Sequence, residues 1–248
     1  AKNYKDALAL LDKGVAKYPQ DKYMKYLKAQ ILIESEKNWE KGEKYLRSEL
    51  GRIPEDQEYY VTLGQIYVEG KQFRKAEELI LSALKKFSDD PLLRFQLGVI
   101  YERSKKLIKA EEVFLQIIKE NPKHASALNY LGYMWADQGV RLNESLDFIQ
   151  KAVDLDPGNA AYLDSLGWVF FRLNRLSEAE KYLSTAAKRV KNDSTIHDHL
   201  GDLYFRLGDY SKAESSWRQA LLHGTESEEL DRIQKKLKQL KNTGNPKH

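Results

Sequence analysis

Small and large apolar positions recur along this chain with a period much longer than one helix. Leu-Gly pairs occur at Leu63-Gly64, Leu97-Gly98, Leu131-Gly132, Leu166-Gly167 and Leu200-Gly201, spaced by 34, 34, 35 and 34 residues. Twelve or thirteen residues after each glycine stands a small residue: Ala76, Ala110, Ser145, Ala179 and Ala213. Seven further on come Ala83, Ile117, Ala152, Ala186 and Ala220. Such phasing predicts a repeated pair of helices, in which a bare backbone lets the second helix approach the first. Tyr67, Tyr101, Trp135, Phe170 and Tyr204 on first helices fill the remaining space, with Ile80, Phe114, Ile149, Leu183 and Trp217 on second helices. Burying each of these large residues contributes about 1.5–3 kcal/mol.

The same pattern divides the chain. Residues 1–20 read as half a unit, with Tyr4, Ala7, Leu11 and Pro19 on a second helix whose first helix is absent. Residues 21–224 hold six helix pairs, the earliest a degenerate one with Ala29 in the glycine role and Gly42 in the alanine role. Residues 225–242 form a capping helix, opened by Thr225 and Glu228 as a capping box. Its stripe of Leu230, Ile233, Leu237 and Leu240 covers the last apolar surface, with Arg232, Lys235, Lys236, Lys238 and Lys241 on its other faces. Residues 243–248 are expected to be a disordered tail. The open half unit at the start implies at least one further helix upstream, where a targeting segment or lipid anchor would also lie. It also offers a surface for self-association.

The Leu-Gly-x-x-Tyr/Phe/Trp motif, the two small positions and the closing prolines Pro19, Pro54, Pro122 and Pro157 resemble the tetratricopeptide repeat family. The resemblance covers nearly the whole chain. It implies an all-α, right-handed superhelical solenoid of antiparallel helix pairs that serves protein–protein interaction. Ala127-Leu128-Asn129-Tyr130-Leu131-Gly132-Tyr133, Gly139-Val140-Arg141-Leu142 and Leu163-Asp164-Ser165-Leu166-Gly167-Trp168 are similar to bacterial envelope members of the family. Some of those are outer-membrane lipoproteins that act as adaptors, delivering substrates to a periplasmic carboxyl-terminal processing protease. The resemblance therefore implies a periplasmic or outer-membrane-attached adaptor, with a cytoplasmic protein as the alternative.

In this family the first helix of each pair lines the inner surface, and positions two, five, nine, twelve and thirteen face inward when the glycine is position eight. The resemblance then assigns partner contacts to Asn129, Tyr133 and Asp137; to Asp164, Trp168, Phe171 and Arg172; and to Asp198, Asp202, Phe205 and Arg206. Aromatic and arginine side chains dominate interface energetics. Trp168 is expected to present a solvated ring, a usual mark of an interaction surface. The alternative is that the acids and arginines pair between neighbouring repeats while Phe171 and Phe205 wedge between first helices.

Composition narrows the chemistry. The 248 residues carry 41 Lys and Arg against 37 Asp and Glu, and no cysteine. Disulfide frameworks, Cys-ligated zinc, iron–sulfur clusters and thiol catalysis are excluded. No phosphate-binding glycine loop and no His-Glu-x-x-His occurs. In His197-Asp198-His199 the two imidazoles point about 200° apart on a helix, so they do not share a metal. No cofactor and no catalysis are expected. The net charge of +4 is spread along the chain, which is no nucleic-acid footprint. The basic final helix keeps contact with nucleic acid or acidic lipid as a lesser alternative, and a regulatory domain of a larger protein is another.

Overall fold

The computed structural model describes residues 3–36, 38–50, 56–88, 90–224 and 227–243. All fourteen elements among them are α-helices: α1 (Tyr4–Lys17), α2 (Lys22–Glu36), α3 (Trp39–Leu50), α4 (Gln57–Glu69), α5 (Phe73–Lys86), α6 (Pro91–Arg103), α7 (Leu107–Glu120), α8 (Ala125–Gln138), α9 (Leu142–Leu155), α10 (Ala160–Arg172), α11 (Leu176–Arg189), α12 (Ser194–Arg206), α13 (Tyr210–His223) and α14 (Ser227–Thr243). Pro54, Thr225 and residues 244–248 lie outside the described residues, and with them one closing proline, the start of the capping box and most of the expected tail. Thr243, expected in that tail, is the last residue of α14.

The chain forms two compact units, residues 1–117 and 118–248. The first holds α1, the pairs α2–α3 and α4–α5, and α6 with most of α7. The second holds the pairs α8–α9, α10–α11 and α12–α13, closed by α14.

Each pair is held by the close approach that the small residues permit. A Cβ on Gly167 would stand 2.6 Å from Leu183 Cγ, and one on Gly132 would stand 2.6 Å from Ile149 Cγ1. Ser145 replaces alanine in one pair, and its buried hydroxyl donates to the Gly132 carbonyl at 2.6 Å. The predicted large residues are buried, except that Tyr204 is half-buried.

Helix ends repeat with the same period. Asp56, Asp90, His124, Asn159 and Asp193 each accept a backbone N–H in the first turn of a first helix. This satisfies amides that an α-helix leaves without partners. At the turns inside the pairs, Lys71, Lys105, Gly139, Asn174 and Gly208 adopt positive φ. In each turn two backbone N–H groups return to the last carbonyls of the first helix, as at Lys105 to Glu102 and Lys106 to Tyr101. The extra residue in the α8–α9 connection is absorbed by a second left-handed residue, Arg141.

These turns yield a paired prediction. Lys105 has φ 62° where glycine is unstrained, and Gly208 has φ 81° with nothing within 4 Å of the position a Cβ would take. Lys105→Gly is expected to stabilise the chain by about 0.5–1 kcal/mol, and Gly208→Ala to cost about 1 kcal/mol. Urea midpoints measured at constant m-value check both.

Candidate functional site on the first-helix face of the C-terminal unit

In the unit of residues 118–248, first helices α8, α10 and α12 lie side by side, and α14 follows α12 in the same phase. Asp198 and Arg232 are 34 residues apart, as are Asp202 and Lys236. The expected site residues are thus brought to one row of helices, but in different environments.

The acids are engaged inside the fold. Asp164 is 5% exposed, and both of its oxygens lie 3.0 Å from His199 Nδ1 on the next first helix. Asp198 is 1% exposed and accepts from Arg232 Nη2 at 2.8 Å and from Lys236 Nζ at 2.7 Å. Asp202 accepts from Lys236 Nζ at 2.7 Å and from Trp217 Nε1 at 3.2 Å. The reading of Asp164 and Asp198 as open partner contacts is therefore corrected: their carboxylates are buried and already paired. The pairing alternative fits these acids, with a histidine and the α14 cations as the partners instead of the repeat arginines.

Trp168 is also corrected. It is 8% exposed, because His199 stacks on it at 4.1 Å between centroids and Phe171 stacks on it at 5.0 Å. Tyr133 on α8 approaches the same imidazole at 6.1 Å. Asn129 is buried, and its Oδ1, like Trp168 Nε1, has no hydrogen-bond partner among the described residues. Each such group carries a desolvation cost of about 1–3 kcal/mol.

The rim is different in character. Phe205 is 37% exposed and leans on Trp217 and Tyr210. Phe171 is half-buried, with the exposed Arg206 guanidinium 5.2 Å from its centroid. Arg172 donates from Nη1 to the Asp137 carbonyl at 2.5 Å and lies 5.8 Å from the Trp168 ring. Arg206 makes the corresponding contact one repeat later, from Nη1 to Asn174 Oδ1 at 3.4 Å. Arg172 thus reaches the last turn of the preceding first helix, and Arg206 the turn just beyond the end of the one before it. Asp137 is exposed beside Arg172.

Electrostatics follow from this arrangement. Burial works to lower the His199 pKa, but the Asp164 carboxylate and its hydrogen bond, with Asp198 and Asp202 beyond, raise it above the ordinary 6.5. Burial, with the Asp198 charge beside it, pushes Asp202 up against the opposing pull of Lys236. Three contributors to the site are missing from the sequence-based assignment: His199, Arg232 and Lys236. The last two read as surface cations of the cap, although their 34-residue spacing from Asp198 and Asp202 is a usable signal. Among the described residues, no cluster of acidic, His or Cys side chains is arranged to hold a metal, and no helix is long and apolar enough to cross a membrane.

Comparison with known proteins agrees with this fold. The family model described as "Psidin, N-terminal TPR repeats region" matches residues 1–142, and a tetratricopeptide repeat model matches residues 165–229. The chain belongs to the tetratricopeptide repeat family. TPR repeat-containing protein PA4667 of Pseudomonas aeruginosa is 44% identical over 72 residues, which is 29% of this chain and 12% of that protein. The chain thus matches only a small part of that relative's length. Among solved structures, the TPR protein TTC0263 of Thermus thermophilus is similar with a TM-score of 0.63 and 22% identity, covering 73% of this chain and 99% of that one. A tetratricopeptide repeat protein of Parabacteroides merdae gives 0.60 and 15%, covering 90% and 94%. A chain of the Cut9–Hcn1 hetero-tetramer gives 0.70 and 16%, covering 93% and 46%. Repeats of this family are non-catalytic interaction modules, and this chain is a protein-interaction scaffold.

Two predictions test the buried pairs. Lys236→Met leaves Asp198 with Arg232 alone and removes a partner of Asp202, so it is expected to cost about 1.5–3 kcal/mol, read from denaturant melts. Because the native pKa of His199 is raised, its contribution is full below its unfolded value and fades as pH rises through the native one. The thermal midpoint of the wild type should exceed that of His199→Gln most at low pH. A difference that stays constant between about pH 5 and pH 9 would show that His199 does not titrate as described.

Proposed function

We propose that this chain is an adaptor of a bacterial cell envelope that holds a segment of a partner protein on the first-helix face of its C-terminal unit. The partner is a periplasmic carboxyl-terminal processing protease or one of its substrates. The observation that carries the reading is the rim along α10 and α12: exposed Phe205, half-buried Phe171 with Arg206 5.2 Å from its ring centroid, and Arg172 beside Trp168. Tyr133 and Asp137 extend that rim along α8, and the buried Asn129 lies beneath it. Trp168, Asp164, Asp198 and Asp202 belong to the base: they hold the helices in place and do not themselves touch the partner. Aromatic anchors beside arginines are the usual centres of binding energy, and a groove between packed helices suits an extended or helical segment. The envelope setting and the protease are supported by the resemblance of the Leu163–Trp168 run, and the curated relative is bacterial.

Photo-crosslinking inside the source cell tests the proposal. A photoreactive residue at Phe205 is expected to trap the protease or a substrate in the envelope fraction, and one at the exposed Lys181 of α11 is expected to trap neither. Phe205→Ser should weaken the purified complex about tenfold, equivalent to about 1.4 kcal/mol. Crosslinks from Lys181 alone would move the site off this face, and recovery of the chain in the cytoplasm would end the envelope reading.

A further inference from the structure

Of the carboxylates on the first-helix face, Asp164 is taken by His199, and Asp198 and Asp202 by Arg232 and Lys236. The cations are distributed differently. Arg172 and Arg206 occupy the same register position in successive repeats, and Arg232 adds a third cation with a side chain 58% exposed. Each repeat arginine is anchored by one contact to the preceding repeat and lies near an aromatic ring. A guanidinium has five N–H donors in a planar fork, so one anchoring bond leaves donors for a carboxylate. A face that looks acidic in its sequence therefore presents cations beside aromatic area, with Asp137 as an exposed carboxylate near its α8 edge.

Resting on the interaction reading above, we propose that the segment held on this face is acidic, a peptide in which Asp or Glu residues alternate with apolar ones. Its carboxylates meet Arg172 and Arg206, and its apolar side chains pack on Phe171 and Phe205. Charge complementarity selects the partner and its orientation, while the aromatic contacts supply most of the affinity.

A displayed library of random dodecapeptides, selected on the full chain and re-synthesised, tests this. The enriched peptides are expected to be rich in Asp and Glu. They should lose about tenfold or more in affinity against the double variant Arg172→Gln/Arg206→Gln, and recover much of it against Arg172→Lys/Arg206→Lys. Circular-dichroism melts of both doubles establish that they fold. Neutral or basic peptides that ignore the Gln double but are lost with Phe205→Ser would overturn the acidic partner and leave the binding face standing. Peptides indifferent to all of these substitutions would overturn both. A single-stranded oligonucleotide that displaces the selected peptides and binds more tightly, with a steep salt dependence, would reassign the arginines to phosphate and also overturn the proposal.

Discussion

Everything in these helix pairs depends on bare backbone meeting a branched or aromatic side chain. Where Gly167 faces Leu183, or Gly98 faces Phe114, there is no room for another carbon at normal contact distance. That approach sets the separation of the two helices, and the separation decides which residues of the next first helix can reach across. His199 reaches Asp164 and Trp168 because α12 packs beside α10, the next first helix along the row. The site on this face is thus a secondary product of small residues that never touch a partner.

The period of the fold is readable from Gly64 to Gly201, because a missing side chain leaves an unmistakable mark in a sequence. The cap column is harder to see. Asp56, Asp90, His124, Asn159 and Asp193 share one task, but they are three kinds of residue, so their equivalence is chemical and not literal. The column of left-handed turns, from Lys71 to Gly208, is hidden more deeply, because lysine gives no sign that its backbone is strained. For the candidate site, register alone places the named residues on the first helices. It does not tell a ring facing water from one covered by a neighbour, and Trp168 falls on the wrong side of that line. The acids at 198 and 202 are misjudged when the last helix is regarded as a lid separate from the repeat, because it continues the same register.

The resulting face combines two kinds of surface with distinct duties. Beneath, a buried imidazole, three carboxylates and two cations from α14 are locked together. Such networks add little net stability over an apolar core, but their geometry admits few alternatives. Above them lie Phe171, Phe205, Arg172 and Arg206, the residues proposed to meet a partner. Binding on a preorganised base loses less conformational entropy than binding on mobile loops.

The closing helix has a consequence for how such proteins grow. Arg232 and Lys236 stand where the next repeat would carry its own inner-face residues, and they are matched to Asp198 and Asp202 one period earlier. A duplicated unit inserted ahead of α14 would keep these ion pairs only if it brought acids at both positions. A copy of the α12–α13 pair would keep both matches, whereas a copy of the α10–α11 pair would set Trp168 where Asp202 stands.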